Sequence, residues 1–440
     1  MHHETVQALS RRSLLRGGAI IGAGAALGAL PFGATRAFAD VATEAHWPQV
    51  TAMIDGYVAN GRLAGAVAAM GWGTAAPGFI ARGKNALEPG AAVADPDGLY
   101  RVYSMTKPIT GMAAMMLIDE GKLGLDQPLA DLLPKFARMQ VQVTPDGSIT
   151  DLKAAVSQIT IRNLLTHTAG LGYTIIQNGP IKAAYEAAGC VPGQISRLPI
   201  PGLSRAPAVQ GLAIFADRLA ELPLVYEPGS KWSYSVGLDL MGRVIEVASG
   251  QPFDTFLQDR IFGPCGMTSS GFQVSPANAA RLTSNYGVIA GHLIPLDPAA
   301  SSVFLDRPAF PFGGAGLVSS PRDYDRFLTM LAGYGRIGNT RVMSELAVRV
   351  GTSNLLPEGA SLEGTMVAGA GFGAGGRVGL ADDLGTYGWG GAAGTVAFVN
   401  LRHGVRGSFF TQYMPSNAYP LFTEFPQTVQ RDLAAMRHAA

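Results

Sequence analysis

The chain has 440 residues, a formal net charge of +1 and only 15% charged residues. That length is large for one simple core, and the charge supplies neither a basic face for nucleic acid nor a long charge run. Hydrophobic content of 48% with 57 glycines describes a well-buried, turn-rich globular protein rather than a disordered one.

Residues 1–39 read as an export signal. Ser10-Arg11-Arg12-Ser13-Leu14-Leu15-Arg16 is a twin-arginine element, followed by a weakly apolar run over 17–30. Ala37-Phe38-Ala39 offers small residues for cleavage, which leaves Asp40 as the mature start. The apolar run is too short and too rich in glycine to span a bilayer comfortably, and no cysteine stands near it for lipidation. The expectation is export by the twin-arginine route to the periplasm or medium, with no stable membrane insertion after cleavage. Residues 40–440 then form the folded domain.

Residues 48–60 predict a helix, because Val50, Met53, Ile54, Tyr57 and Val58 recur at helical spacing. Residues 63–72 and 78–82 predict strands around a Gly/Pro turn, and 100–103 a short extended run. A helix follows from Ser104 or Met105, with Ile109, Met112, Ala113, Met116 and Leu117 on one stripe and Gly121 as its stop. Pro108 lacks an N–H and is comfortable only in a first turn, which sets that start. Residues 123–226 read mainly as helix and loop, with 161–166 and 215–222 helical. Residues 177–208, rich in Gly and Pro, read as a long surface excursion. Helices are predicted over 236–248, after Pro252, and from a capping box at Ser320 through Leu331. Strands are expected over 386–389, 395–401 and 407–413, and a last helix over 427–436. The expected class is α+β: an antiparallel sheet flanked by helices, with an all-helical lobe inserted over about 121–230.

Two cysteines, Cys190 and Cys265, leave a disulfide and two separate buried thiols both open. The seven histidines are scattered with no HxH or HExxH spacing, so neither a metal nor a cofactor is expected. Oligomeric state is not set by these patterns.

Chemistry enters at Ser104-Met105-Thr106-Lys107. Positions i and i+3 share a helix face, so the lysine can take the proton of the serine. A free lysine titrates near ~10.4, and one acting as base near neutral pH must be helped by burial and by the positive end of a helix. The same helix start turns the Ser104 N–H outward, where it can bind an oxyanion. A basic residue in the first turn opposes the helix dipole, which disfavours a plain capping role for the pair.

Two further stretches join it. Pro228-Gly229-Ser230-Lys231-Trp232-Ser233-Tyr234-Ser235-Val236 places a tyrosine after a tight turn and before a helix. Tyr387-Gly388-Trp389-Gly390-Gly391-Ala392 lies on a late strand, where small residues let a substrate approach the backbone. In this order the three stretches resemble the active-site elements of the serine β-lactamase and penicillin-recognising superfamily. The likeness is nearer to its esterase branch, the family VIII carboxylesterases related to class C β-lactamases, and spans residue 48 to the C-terminus. Leu164-Leu165-Thr166-His167-Thr168-Ala169-Gly170-Leu171, Tyr226-Glu227-Pro228-Gly229, Gly313-Gly314-Ala315-Gly316-Leu317 and Ile261-Phe262-Gly263-Pro264-Cys265-Gly266-Met267 also resemble that family. His167 reads as structural.

The resemblance implies a β-lactamase/DD-peptidase-like fold, Ser104 as nucleophile and Lys107 as base. Tyr234 shares the proton relay, and which of the two serves acylation stays open. It further implies an oxyanion hole from the N–H groups of Ser104 and Ala392, with Trp389, Gly390 and Gly391 binding substrate. Two departures inform the substrate. Val236 stands where β-lactamases usually have Asn, and Trp389-Gly390 replaces the Lys-Thr that holds the β-lactam carboxylate, removing a charge-assisted hydrogen bond. The implied activity is hydrolysis of short- to medium-chain esters, a small-molecule partner, through an acyl-enzyme. The rivals are a β-lactamase or D-amino-acid peptidase acting on cell-wall amides, and a non-catalytic penicillin-recognising binding protein.

Overall fold

The computed structural model describes residues 43–191, 193, 195–198 and 206–438. The twin-arginine element and the cleavage site lie outside the described residues.

The first and last parts of the chain share one sheet. Strands β1 (Gly65–Trp72) and β2 (Gly78–Gly83) join β3 (Gly371–Phe372), β4 (Arg377–Val378), β5 (Thr386–Gly390), β6 (Val396–Asn400) and β7 (Val405–Phe410). The order is β3-β4-β5-β6-β7-β1-β2, and every neighbouring pair is antiparallel. One face is covered by helices α1 (Pro48–Ala59) and α10 (Leu421–His438). Val50, Ile54, Ala66, Ala68, Phe409, Phe425 and Val429 form that layer's core. The Asp432 carboxylate accepts from the N–H groups of Gln49 and Val50, both at 3.1 Å, and so caps the start of α1 from the far end of the chain.

Between Gly83 and Gly371 the described residues add no strand to this sheet, and most of them build the other layer. At its centre is α2 (Thr106–Asp119), in which every residue from Thr106 to Leu117 is buried. The expected single apolar stripe is therefore an all-round apolar helix, as a central helix must be. Gly111 is required there: a Cβ would stand 2.0 Å from the Ala374 carbonyl, where the β3–β4 hairpin crosses the helix. On this side lie α3 (Ile161–Leu165), α4 (Gly179–Ala187), α5 (Leu212–Leu219), α6 (Gly237–Ser249), α7 (Phe253–Leu257), α8 (Pro321–Ala332) and α9 (Glu345–Gly351), with α6 and α9 against α2 and α8 directly on β1, β6 and β7. Helix α3 starts at a capping box of Thr160 and Asn163, and α8 at the Ser320 cap that the sequence predicts.

Helices α6 and α7 lie where the sequence predicts them, over 236–248 and after Pro252. Several expectations are corrected. The excursion over 177–208 contains α4, which buries Ile181 and Tyr185. The Tyr185 hydroxyl accepts from the Gly172 N–H at 2.7 Å, so α4 is packed into the fold, while residues 192, 194 and 199–205 of the excursion lie outside the described residues. The last strand leaves the sheet at Phe410, and Tyr413–Met414 instead pairs in parallel with Asn285–Ile289. Helix α10 begins at Leu421, six residues earlier than expected, because its packing against α1 tolerates Pro426 inside it. Cys190 and Cys265 are free and buried, and burial pushes both thiols up to about 12. Among the described residues no helix is long and apolar enough to cross a membrane, and no group of three or more His, Cys, Asp or Glu could hold a metal ion.

Candidate active site

Ser104 sits in a single 3-10 turn, Tyr103–Met105, that feeds directly into α2. Tyr103 before it has φ 40°, a left-handed conformation that costs a bulky residue energy unless its surroundings hold it. They do. The Thr106 hydroxyl donates to the Tyr103 carbonyl at 2.6 Å, and the Tyr103 ring meets Phe304 edge-on at 6.0 Å. Just upstream, the fully buried Arg101 donates through Nε to Asp297 Oδ2 at 2.7 Å and through Nη2 to Ser302 Oγ at 2.9 Å. The Gln412 side chain bonds both the N–H and the C=O of Arg101, each at 3.1 Å. The nucleophile segment is thus clamped before it reaches the site.

Two groups converge on Ser104 Oγ. Tyr234 donates its hydroxyl to it at 2.7 Å, and Lys107 Nζ, one turn along α2, lies 3.2 Å away. Lys107 is fully buried and also donates to the Gly314 carbonyl at 2.7 Å. Its Nζ stands 4.4 Å from the centre of the Tyr234 ring. The Trp389 indole N–H donates to the Tyr234 hydroxyl at 3.2 Å. Ser104 itself is only half-buried, so an acyl group can reach it from outside. A hydroxyl with two proton-relay groups in contact can act as a nucleophile in acyl transfer.

The turn after β5 closes the site. The missing Cβ of Gly391 would stand 2.3 Å from the Val102 carbonyl. This close approach sets the turn that carries Ala392 against the segment that carries Ser104. Neither the Ser104 nor the Ala392 N–H donates to an acceptor among the described residues, so both remain available to an oxyanion. At Gly390 a Cβ would meet the tip of the Phe422 ring at 3.0 Å. Trp389 packs against Phe372 and Tyr234, with ring centres at 5.3 and 5.9 Å.

His167 supports Tyr234. Its ring is buried and lies 4.8 Å from the Tyr234 ring. Burial, then the nearby Lys107 charge, holds its pKa well below the usual value, so the ring is neutral. Nδ1 lies 3.2 Å from the Ser235 N and 3.0 Å from the Ser235 hydroxyl, which together fix the plane of the ring. Val236 is the buried residue just ahead of α6 and presents no amide.

Sequence reasoning missed Asp239 and Phe422. Asp239 is buried near the start of α6 and accepts from the Gly314 N–H at 2.8 Å; burial, partly offset by Lys107, raises it to about 6. An acidic residue five positions after the motif tyrosine was its only trace. Phe422 left none, since a phenylalanine near the end of a chain reads as core.

The chain belongs to the Beta-lactamase family, whose model matches residues 50–423. Within it, the chain is a family VIII esterase-like member of a group of serine hydrolases that includes esterases and acyltransferases. An uncharacterised protein of Mycobacterium tuberculosis is 33% identical over 315 residues, 68% of this chain and 73% of that protein. Esterase EstB of Burkholderia gladioli is 32% identical over 248 residues, 53% of this chain and 56% of that protein. The structure of EstCE1, described as a hydrolase with promiscuous acyltransferase activity, superposes with a TM-score of 0.70 at 24% identity. It covers 89% of this chain and 99% of its own, so the expected fold is the fold found.

Proposed function

We propose that this protein is an exported serine carboxylesterase that cleaves short- to medium-chain esters through an acyl-enzyme on Ser104. The observation that carries the reading is Ser104 Oγ held at 2.7 Å from the Tyr234 hydroxyl and 3.2 Å from Lys107 Nζ. Oγ attacks the ester carbonyl and gives its proton to the Lys107/Tyr234 pair. The carbonyl oxygen becomes the oxyanion and takes the N–H groups of Ser104 and Ala392. The intermediate collapses, the C–O bond to the alcohol breaks, and the relay returns the proton to the leaving alkoxide. Water then repeats the sequence on the acyl-enzyme and releases the acid.

The preference for neutral substrates rests on residues 389 and 390. The indole N–H of Trp389 is committed to Tyr234. The volume that a side chain at 390 would need is filled by the Phe422 ring. Neither position offers a cation or a hydroxyl to a carboxylate, which disfavours anionic β-lactams. Side-by-side hydrolysis of p-nitrophenyl butyrate and a chromogenic cephalosporin, by wild type and Ser104→Ala, tests the reading. Ester turnover that is lost in the variant, with little cephalosporin cleavage, is expected. Faster turnover of the cephalosporin would overturn it. Export is tested by the size of the protein in the periplasm or medium, with cleavage expected before Asp40.

A further inference from the structure

We propose that Asp239 is a positioning residue for Lys107, acting through the backbone of Gly314 that lies between them. The inference rests on the esterase reading above. The Gly314 N–H donates to Asp239 Oδ1 at 2.8 Å, and the Gly314 C=O accepts from Lys107 Nζ at 2.7 Å. Both side chains are buried, Lys107 at 0% and Asp239 at 3% exposure. A Cβ on residue 314 would stand 2.7 Å from Asp239 Oδ2, so only glycine fits the bridge. The loop is also fastened to α2 on either side. Thr110 Oγ1 donates to the Gly313 carbonyl at 2.7 Å, and Thr106 Oγ1 accepts from the Leu317 N–H at 3.1 Å.

A carboxylate so buried needs a compensating cation. Lys107 on α2 is the charged group that acts on it, and Tyr173, on the loop after α3, is the titratable neighbour that feels it in turn. Helices α3, α5 and α7 also pack on α6 but contribute no charge to Asp239. The carboxylate therefore fixes the direction of the Gly314 carbonyl, and with it the place of Nζ beside Ser104 Oγ. The serine proton passes to a group whose place is set from behind by a residue that never touches substrate.

Asp239→Asn keeps the Oδ1 acceptor and the volume while removing the charge. The readout is the pH profile of Ser104 acylation by a fluorophosphonate, followed by intact mass, beside kcat/KM for p-nitrophenyl butyrate. The inflection of both profiles is expected to move to lower pH, because the buried charge behind Gly314 is gone. Asp239→Glu, which keeps the charge, is expected to retain the wild-type inflection even if its rate falls. If Asp239→Asn does not fold, Asp239→Ser, which also removes the charge and keeps an oxygen acceptor, carries the same expected shift. A uniform rate loss with an unmoved inflection would make Asp239 purely structural and overturn the proposal while leaving the esterase reading intact. Wild type that is not acylated at Ser104 at any pH would overturn both.

Discussion

The indole N–H of Trp389 donates to the hydroxyl of Tyr234 at 3.2 Å, and so the late strand and the loop before α6 meet at the nucleophile. A cation at 389 would contact the same oxygen but also leave charge for a substrate carboxylate. Trp389→Lys should therefore lower kcat/KM for p-nitrophenyl butyrate and raise the ratio of cephalosporin to ester turnover by about tenfold or more, the size of one charge-assisted bond. A ratio that does not move would place the anion discrimination elsewhere.

Tyr234→Phe removes the hydroxyl 2.7 Å from Ser104 Oγ and keeps the ring against His167. The expected loss in kcat is about 10²–10⁴-fold, with KM changed far less. Pre-steady-state release of p-nitrophenol separates acylation from deacylation and shows which step the hydroxyl serves.

Gly391→Ala should be severe for a residue that bears no side chain. The new methyl would meet the Val102 carbonyl at 2.3 Å and push the Ala392 turn away from Ser104. Displacing one oxyanion donor typically costs about 10²–10³ in kcat. Circular dichroism of the folded variant distinguishes this from unfolding.

Asp239 also makes a stability prediction. Its folded value, about 6, lies above the ordinary carboxyl value of 3.8. A raised carboxyl contributes stability that is fully present below the unfolded value and lost as pH rises through the folded one. Between pH 4 and pH 7 the wild type should lose about 2 kcal/mol through this group, and Asp239→Asn should not. Urea unfolding at the two pH values measures the difference. An equal pH dependence in both proteins would refute it.

Far from the site, Arg406 and Asp325 form a buried ion pair at 2.8 Å, and Arg406 also donates to the Gly73 and Ala75 carbonyls. Arg406→Met would strand the Asp325 charge and should cost about 3–5 kcal/mol by denaturant unfolding. Adding Asp325→Asn should recover part of that loss, because the uncompensated charge is then gone.

The sequence alone determined what is local. Ser104 and Lys107 share a helix face by spacing, Ser320 caps its helix, and the patterns over 63–72, 78–82 and 395–401 mark strands, because period and capping are properties of neighbouring residues. Motif order carried the class and the fold through resemblance. The last helix starts at Leu421 and not at 427, and its packing against α1 tolerates Pro426 inside it. What only the tertiary structure decided lies across long separations. Tyr234 reaches Ser104 from 130 residues away, and Asp239 holds Gly314 from 75. The Phe422 ring occupies the place that residue 390 leaves empty. No period or propensity encodes such contacts. They arise when distant segments are driven into one dry core, where each polar group must find a partner and each glycine makes room for a particular neighbour.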